Sequence, residues 1–251
     1  MERFEGKTVV ITGAARGLGR ATAHAFAERG ASLVLADILT DKLQATEAEL
    51  RAEGVEVLAV SMDLGSRARC HELIRLGVER FGRIDVLCNV AAILAPDKVE
   101  DYTEEKFGAL MAINLFAPFW LSQASIPHLL ERNGNIVTVA SSAGLMGQAY
   151  SVPYTMSKGG VIQMTRSLAM EYLHKPIRIN AVAPGGMLTD MGSGTNAYPA
   201  DVEPDLVQRF MPTRPMPEPA LVADLIVYLA SERAKNIHGA CLSTDGGATA
   251  G

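Results

Sequence analysis

The chain has 251 residues, 48% of them hydrophobic and 20% charged, and 23 Lys and Arg against 28 Asp and Glu give a net charge of −5. That is globular composition with material for one core. It excludes a disordered or collagen-like chain and lacks the basic surplus of a protein that binds nucleic acid or an anionic membrane.

Aromatic residues make up only 6%, too few for a platform of stacked bases. Cys70, Cys88 and Cys241 belong to no CxxC pair or Cys/His cluster. Neither a disulfide framework nor a metal site is expected, and the cysteines suit the reducing cytoplasm. The first residues, Met1–Lys7, lack the apolar core of a signal peptide. No apolar run approaches the length needed to cross a bilayer, so no membrane association is expected.

Short β-branched runs alternate with helical stretches. Lys7–Thr12 reads as a buried strand and Gly17–Arg29 as a helix with Leu18, Ala21, Ala25 and Phe26 on one face. Leu33–Asp37 is a second apolar strand, followed by a charged amphipathic helix over Asp41–Glu53. The alternation repeats through Val55–Val60, Ala68–Phe81 and Ile84–Asn89. One long helical region is expected from Glu104 to about Leu130. Then come a strand at Asn135–Ala140, a helix over Tyr154–Leu173 and a strand at Ile177–Ala183. Such alternation implies parallel strands joined by crossovers, and near-continuous apolar strands imply burial on both faces. The predicted class is therefore α/β: a single-domain, Rossmann-like, doubly wound parallel sheet with helices on both faces, spanning residues 1–251. The segment Pro184–Pro219, rich in Gly, Pro, Ser and Thr, is expected to be a substrate lid or binding loop.

Thr12–Gly19 (TGAARGLG) joins the first strand to the first helix. Gly13 permits a tight turn, Gly17 lets a pyrophosphate approach the backbone, and Gly19 lets the helix pack closely on the sheet. The helix N-terminus beyond Leu18 supplies N–H groups and a partial positive charge. The spacing is GxxxGxG rather than GxGxxG. Asp37, at the end of the second strand, is placed to accept hydrogen bonds from the ribose hydroxyls of a dinucleotide and to repel a 2′-phosphate. Arg16, beside the loop, pulls the other way, since a cation accommodates a 2′-phosphate.

Tyr154 and Lys158 are four apart at a helix start, on one face. A tyrosine is a poor base at neutral pH, and a neighbouring ammonium is expected to lower its pKa. Ser141 and Ser142 follow the strand Asn135–Ala140, where open α/β sheets carry ligands; chemistry alone does not choose between them. Asn114 is a polar residue inside the long helical region.

Together these motifs resemble the short-chain dehydrogenase/reductase (SDR) family, and the resemblance covers nearly the whole chain. The family's TGxxxGxG is matched by Thr12–Gly19. Its Ser thirteen residues before YxxxK selects Ser141 for Tyr154 and Lys158. Its helix Asn is matched by Asn114, and its Asp at the end of the third strand by Asp63, followed by Leu64. Pro184-Gly185 and Thr189 match the segment after the sixth strand, and Asp245–Gly247 the C-terminal Asp-Gly-Gly. The family's Asn-Asn-Ala-Gly is here Asn89-Val90-Ala91-Ala92, so the second Asn and the Gly are replaced.

The resemblance implies an oxidoreductase that moves a hydride between NAD and a secondary alcohol or ketone. Tyr154 is then the acid and base, and Lys158 lowers its pKa and bonds the nicotinamide ribose. Ser141 holds the substrate oxygen, and Asn114 anchors a water on the proton path. The cofactor set is Gly13, Arg16, Gly17, Leu18, Gly19, Asp37, Asp63, Leu64, Asn89, Ala91, Tyr154, Lys158, Pro184, Gly185, Met187 and Thr189. The main chain near Met187 and the Thr189 hydroxyl orient the carboxamide. The carboxylate of Asp37 favours NAD over NADP, and no metal is implied. Leu145, Met146, Met187, Leu188, Met191, Phe210 and Met211 suggest a hydrophobic small-molecule substrate. The family further implies a homotetramer. The competing readings are an NADPH-dependent carbonyl reductase and a dinucleotide-binding regulator without turnover.

Overall fold

In the computed structural model, residues 3–191, 198–212 and 214–250 are described. The strands are β1 (Thr8–Thr12), β2 (Ser32–Asp37), β3 (Val57–Ser61), β4 (Val86–Asn89), β5 (Asn135–Val139), β6 (Arg178–Pro184) and β7 (Cys241–Thr244). They form one parallel sheet in the order β3-β2-β1-β4-β5-β6-β7. Side chains alternate between its faces because the strand period is two. Val9, Ile11, Leu33, Leu35, Val86 and Cys88 enter one core cluster, while Val10, Val34, Ala36 and Leu87 enter the other. Both faces are apolar, so both must be covered. The helices are α1 (Gly17–Ala27), α2 (Thr40–Ala52), α3 (Arg67–Phe81), α4 (Glu104–Met111), α5 (Ala117–Leu130), α6 (Val152–Glu171), α7 (Pro204–Gln208) and α8 (Pro219–Ala230). Phe26 of α1 and Ile226 of α8 cover the first face; Leu73 of α3 and Leu121 of α5 cover the second. This is the doubly wound sheet expected from the sequence. The strand order reverses between β1 and β4, which opens a crevice at their C-terminal ends.

Two departures have local causes. The long helical region is divided, because a π-helical turn at Ala112–Phe116 separates α4 from α5. Pro118 has no N–H to give the carbonyl four residues back, that of Asn114, so the ladder widens there. Helix α6 starts at Val152, ahead of the expected Tyr154, because Pro153 is tolerated in a first turn. The apolar helix α8 and the short edge strand β7 are additions to the sequence reading.

By length and composition Glu104–Leu130 is apolar enough to cross a membrane, contrary to the expectation that no run approaches that length. Its apolar residues Ala117, Leu121, Ile126 and Leu129 are buried against the sheet and α3, as in the core helix of a folded domain. Within the expected lid segment, α7 forms one short helix; residues 192–197 and 213 of that segment lie outside the described residues.

Candidate active site

A cavity of about 1030 Å³ opens over the C-terminal ends of β1, β4 and β5. Its floor near β1 is the loop before α1. Gly13 has φ +70°, and a Cβ there would lie 2.9 Å from Ala91 Cα. A Cβ at Gly19 would lie 2.0 Å from the Gly13 carbonyl oxygen. The loop is therefore closed to side chains at both positions. Arg16, the residue capping α1, gives no side-chain cap, and the first turn of α1 carries no acid. The helix end keeps the N–H groups and partial positive charge that suit an anion.

Asp37 is held at the edge of this loop. Its Oδ2 accepts from Ala15 N at 3.0 Å and its Oδ1 from Leu39 N at 3.0 Å. Arg16 reaches Asp190 at 3.7 Å, so its guanidinium has an anionic neighbour already. Asp63 Oδ1 accepts from Gly65 N at 2.8 Å, which orients the end of β3.

The loop after β4 departs from the family pattern at Val90 and Ala92. The Thr12 hydroxyl oxygen accepts from both Val90 N and Ala91 N, each at 3.0 Å. The backbone makes the tie between β1 and β4, and the Val90 side chain joins the core. Asn89 lies below the cavity, where its amide donates to Thr138 Oγ1 at 3.2 Å.

Lys158 is nearly sealed from solvent and donates to the Val139 carbonyl at 2.8 Å. Burial lowers its pKa to about 8. Its Nζ lies 5.9 Å from the centre of the Tyr154 ring. Tyr154 is buried too, and burial raises its pKa, while a hydrogen bond with Ser141 pulls it down. From the sequence the neighbouring ammonium is expected to lower the Tyr154 pKa; in the folded chain desolvation of the buried phenolate comes first, and the direction is upward. The Ser141 hydroxyl also accepts from Ala143 N at 3.1 Å.

Asn114 sits in the π turn, fully buried, behind the cavity wall. Its Oδ1 accepts from Ile93 N at 2.8 Å, and its Nδ2 donates to Ile93 O at 2.9 Å and Ser157 Oγ at 3.3 Å.

The cavity brings together Gly13, Arg16, Gly17, Leu18, Gly19, Asp37, Asp63, Leu64, Ala91, Ser141, Tyr154, Lys158, Pro184, Gly185, Met187 and Thr189. Asn89 and Asn114 are outside its lining. Among the apolar wall candidates, Met187, Met191, Phe210 and Met211 face the cavity; Leu145, Met146 and Leu188 do not. Leu145 and Leu188 are instead exposed, so helical or loop position alone misassigns them. Tyr198, Gln148 and Met216 also line the cavity. Sequence reasoning does not single out Tyr198, which belongs to no local motif and reaches the site only through chain packing.

The family model for short chain dehydrogenase matches residues 7–199. The chain belongs to this family. A 7alpha-hydroxysteroid dehydrogenase of Bacteroides fragilis is 36% identical over 253 residues, covering 99% of this chain and 96% of the relative. A short chain dehydrogenase of Mycobacterium paratuberculosis, solved with NAD, superposes with a TM-score of 0.93 at 31% identity and covers 99% of this chain and 100% of that one. A second, from Burkholderia cenocepacia and solved with NADP, has a TM-score of 0.88 at 30% identity, covering 98% and 99%.

Proposed function

We propose that the chain is an NAD-preferring alcohol dehydrogenase acting on uncharged secondary alcohols and the corresponding ketones. One observation carries this reading: Ser141, Tyr154 and Lys158 meet in the same cavity as a loop that excludes side chains at Gly13 and Gly19. A loop alone fits any dinucleotide binder, and a tyrosine–lysine pair alone fits many helices. Side by side they fit hydride transfer.

The residues fit a nicotinamide dinucleotide. Gly17 and the α1 N-terminus hold its pyrophosphate, Asp37 its adenosine ribose, and Asp63 with Leu64 its adenine. Lys158 takes the nicotinamide ribose; Pro184, Gly185, Met187 and Thr189 lie along the nicotinamide. When bound, the nicotinamide supplies the hydride chemistry. Asn89 and Asn114 act from behind the lining, Asn89 by tying β4 to β5 and Asn114 by holding the Ile93 loop. Both relatives solved with cofactor support a dinucleotide, one each for NAD and NADP. Asp37 tips this chain toward NAD, because its carboxylate is fixed by two backbone N–H groups and cannot withdraw from a 2′-phosphate.

Ser141 holds the substrate oxygen beside Tyr154. During oxidation the Tyr154 phenolate takes the hydroxyl proton; during reduction the phenol returns it. Lys158, held by the Val139 carbonyl, places a positive charge near the phenolate and lowers the cost of forming it. The hydroxyl of Ser141 stabilises the negative charge that develops on the reacting oxygen.

We further propose one catalytic domain over residues 1–251 with a substrate lid at about 184–219, and a homotetramer in the cytoplasm. Phe107, Phe116, Phe119 and Met156 support the assembly, because these large apolar side chains of α4, the π turn, α5 and α6 stand exposed. A panel of secondary alcohols with NAD and with NADP, and of ketones with the reduced forms, read as nicotinamide absorbance, tests the reaction. Turnover of alcohols and ketones is expected; tight dinucleotide binding with no turnover of any of them would favour a regulator.

A further inference from the structure

The cavity is chemically divided. Its charged lining residues among those described are Arg16, Asp37, Asp63, Lys158 and Asp190. Arg16, Asp63 and Asp190 lie in the loops that follow β1, β3 and β6, Asp37 ends β2, and Lys158 lies beside Tyr154. Beyond Tyr154 the wall is formed by side chains such as Leu94, Met191, Phe210 and Met216. An ionised substrate finds no countercharge there, and its desolvation would go uncompensated.

Among the described residues, two polar side chains interrupt this apolar wall, Gln148 and Tyr198. Tyr198 is half-buried, and its ring leans on Phe210 with centroids 6.0 Å apart. Its hydroxyl lies 3.4 Å from Ser151 Oγ, three residues ahead of Tyr154. That contact is long and occupies one of the three hydrogen-bonding positions of a phenol. A hydroxyl with this one partner among the described residues, set in an apolar wall, favours a ligand that brings its own polar atom. Burial raises the pKa of Tyr198, against the hydrogen bond with Ser151 that lowers it, and Tyr198 also opposes the ionisation of Tyr154. Among the described lining residues, the cation near this pair is Lys158, 5.9 Å from the centre of the Tyr154 ring. With the lysine beside Tyr154 rather than Tyr198, Tyr198 is placed to act as a hydrogen-bonding group and not as the base. The amide of Gln148 adds a donor and an acceptor to the same wall.

We propose that Tyr198, with Gln148, forms a second oxygen-binding point facing the Ser141–Tyr154 pair, and that the substrate is an uncharged molecule bearing a second hydroxyl or carbonyl oxygen besides the one that reacts. This rests on the dehydrogenase reading. Tyr198 selects substrates and takes no proton in the reaction. A single hydrogen bond at a half-buried site discriminates by about tenfold, at the upper end of a neutral pair.

The test compares cyclohexanol with the 1,2-, 1,3- and 1,4-cyclohexanediols. Each is measured as a substrate, or as a competitive inhibitor of whichever alcohol is turned over, in the wild type, Tyr198→Phe and Gln148→Leu. The phenylalanine keeps the ring against Phe210, and fluorescence of bound reduced nicotinamide reports whether each variant still holds the cofactor. The expected result is a preference of about tenfold for at least one diol over cyclohexanol in the wild type. It should fall several-fold in Tyr198→Phe, mainly through KM or the inhibition constant, and fall in Gln148→Leu as well. Equal handling of cyclohexanol and all three diols by the wild type, or a diol preference that survives in Tyr198→Phe, overturns the proposal while leaving the dehydrogenase reading intact. Cofactor binding without turnover of any alcohol or ketone overturns both.

Discussion

Asn114 and Ile93 exchange two hydrogen bonds, one in each direction, between a side chain in the π turn and the backbone of the loop after β4. A buried amide thus replaces the strand partner that this loop lacks, and fixes the wall that carries Ile93 and Leu94. Asn114→Leu leaves a donor and an acceptor of Ile93 without partners. We expect a loss of about 2–4 kcal/mol in unfolding free energy, from two unsatisfied groups. Denaturant unfolding measures it. Unchanged stability with reduced turnover would restrict Asn114 to a proton-path role.

Tyr154→Phe removes only the acid/base hydroxyl. Turnover should fall by at least about a hundredfold, while nicotinamide dinucleotide binding stays within a few-fold. Steady-state kinetics and fluorescence titration separate these effects, and substantial residual turnover would remove Tyr154 from the reaction.

Lys158 ties protein stability to pH. Burial lowers its folded pKa from 10.5 to about 8. Below the folded value both the folded and unfolded chains carry the charge, and the folded state bears its desolvation cost. Between the two values only the unfolded chain binds the proton, so stability should rise as pH climbs through that window. Lys158→Met should flatten the rise. Melting temperatures from pH 7 to 10 check the slope, and an equally steep rise in the variant would locate the effect elsewhere.

The cofactor preference turns on Asp37. A fixed carboxylate should outweigh Arg16, which is paired with Asp190 and half-exposed. The expected preference for NAD over NADP is about a hundredfold in kcat/KM, near 2.7 kcal/mol. Asp37→Ala should shrink the ratio. Equal efficiency with both cofactors in the unmodified protein would bring the NADPH-dependent reductase reading forward.

The exposed side chains Phe116 and Phe119 predict self-association through the π turn and α5. Light scattering at micromolar protein should give a multiple of the monomer mass, and Phe116→Glu should lower it. A monomer mass for the unmodified chain would refute the assembly.

Much of this molecule is legible along the chain because its signals are local. The apolar runs Val9–Ile11 and Leu33–Leu35 mark doubly covered strands, since each residue finds apolar neighbours on whichever face it meets. The turn at Gly13, the acid at Asp37 and the four-residue step from Tyr154 to Lys158 need only neighbouring residues to be recognised. Other features are decided by contacts between distant segments. The widening of the helix at Asn114 follows from Pro118, but its use, pinning Ile93, requires the β4 loop to lie alongside. The loop that carries Val90 in place of Asn stays tied to β1, because Thr12, brought near by strand pairing, accepts from its backbone N–H groups. Burial reverses the expected direction at Tyr154, because desolvation depends on what the whole fold places around the phenol. Tyr198 becomes part of the site for the same reason: no short-range pattern marks it, and only packing of the segment after β6 sets its hydroxyl beside Ser151. Residue spacing determines which groups share a turn or a face; solvent exclusion and long-range contacts decide what those groups can do.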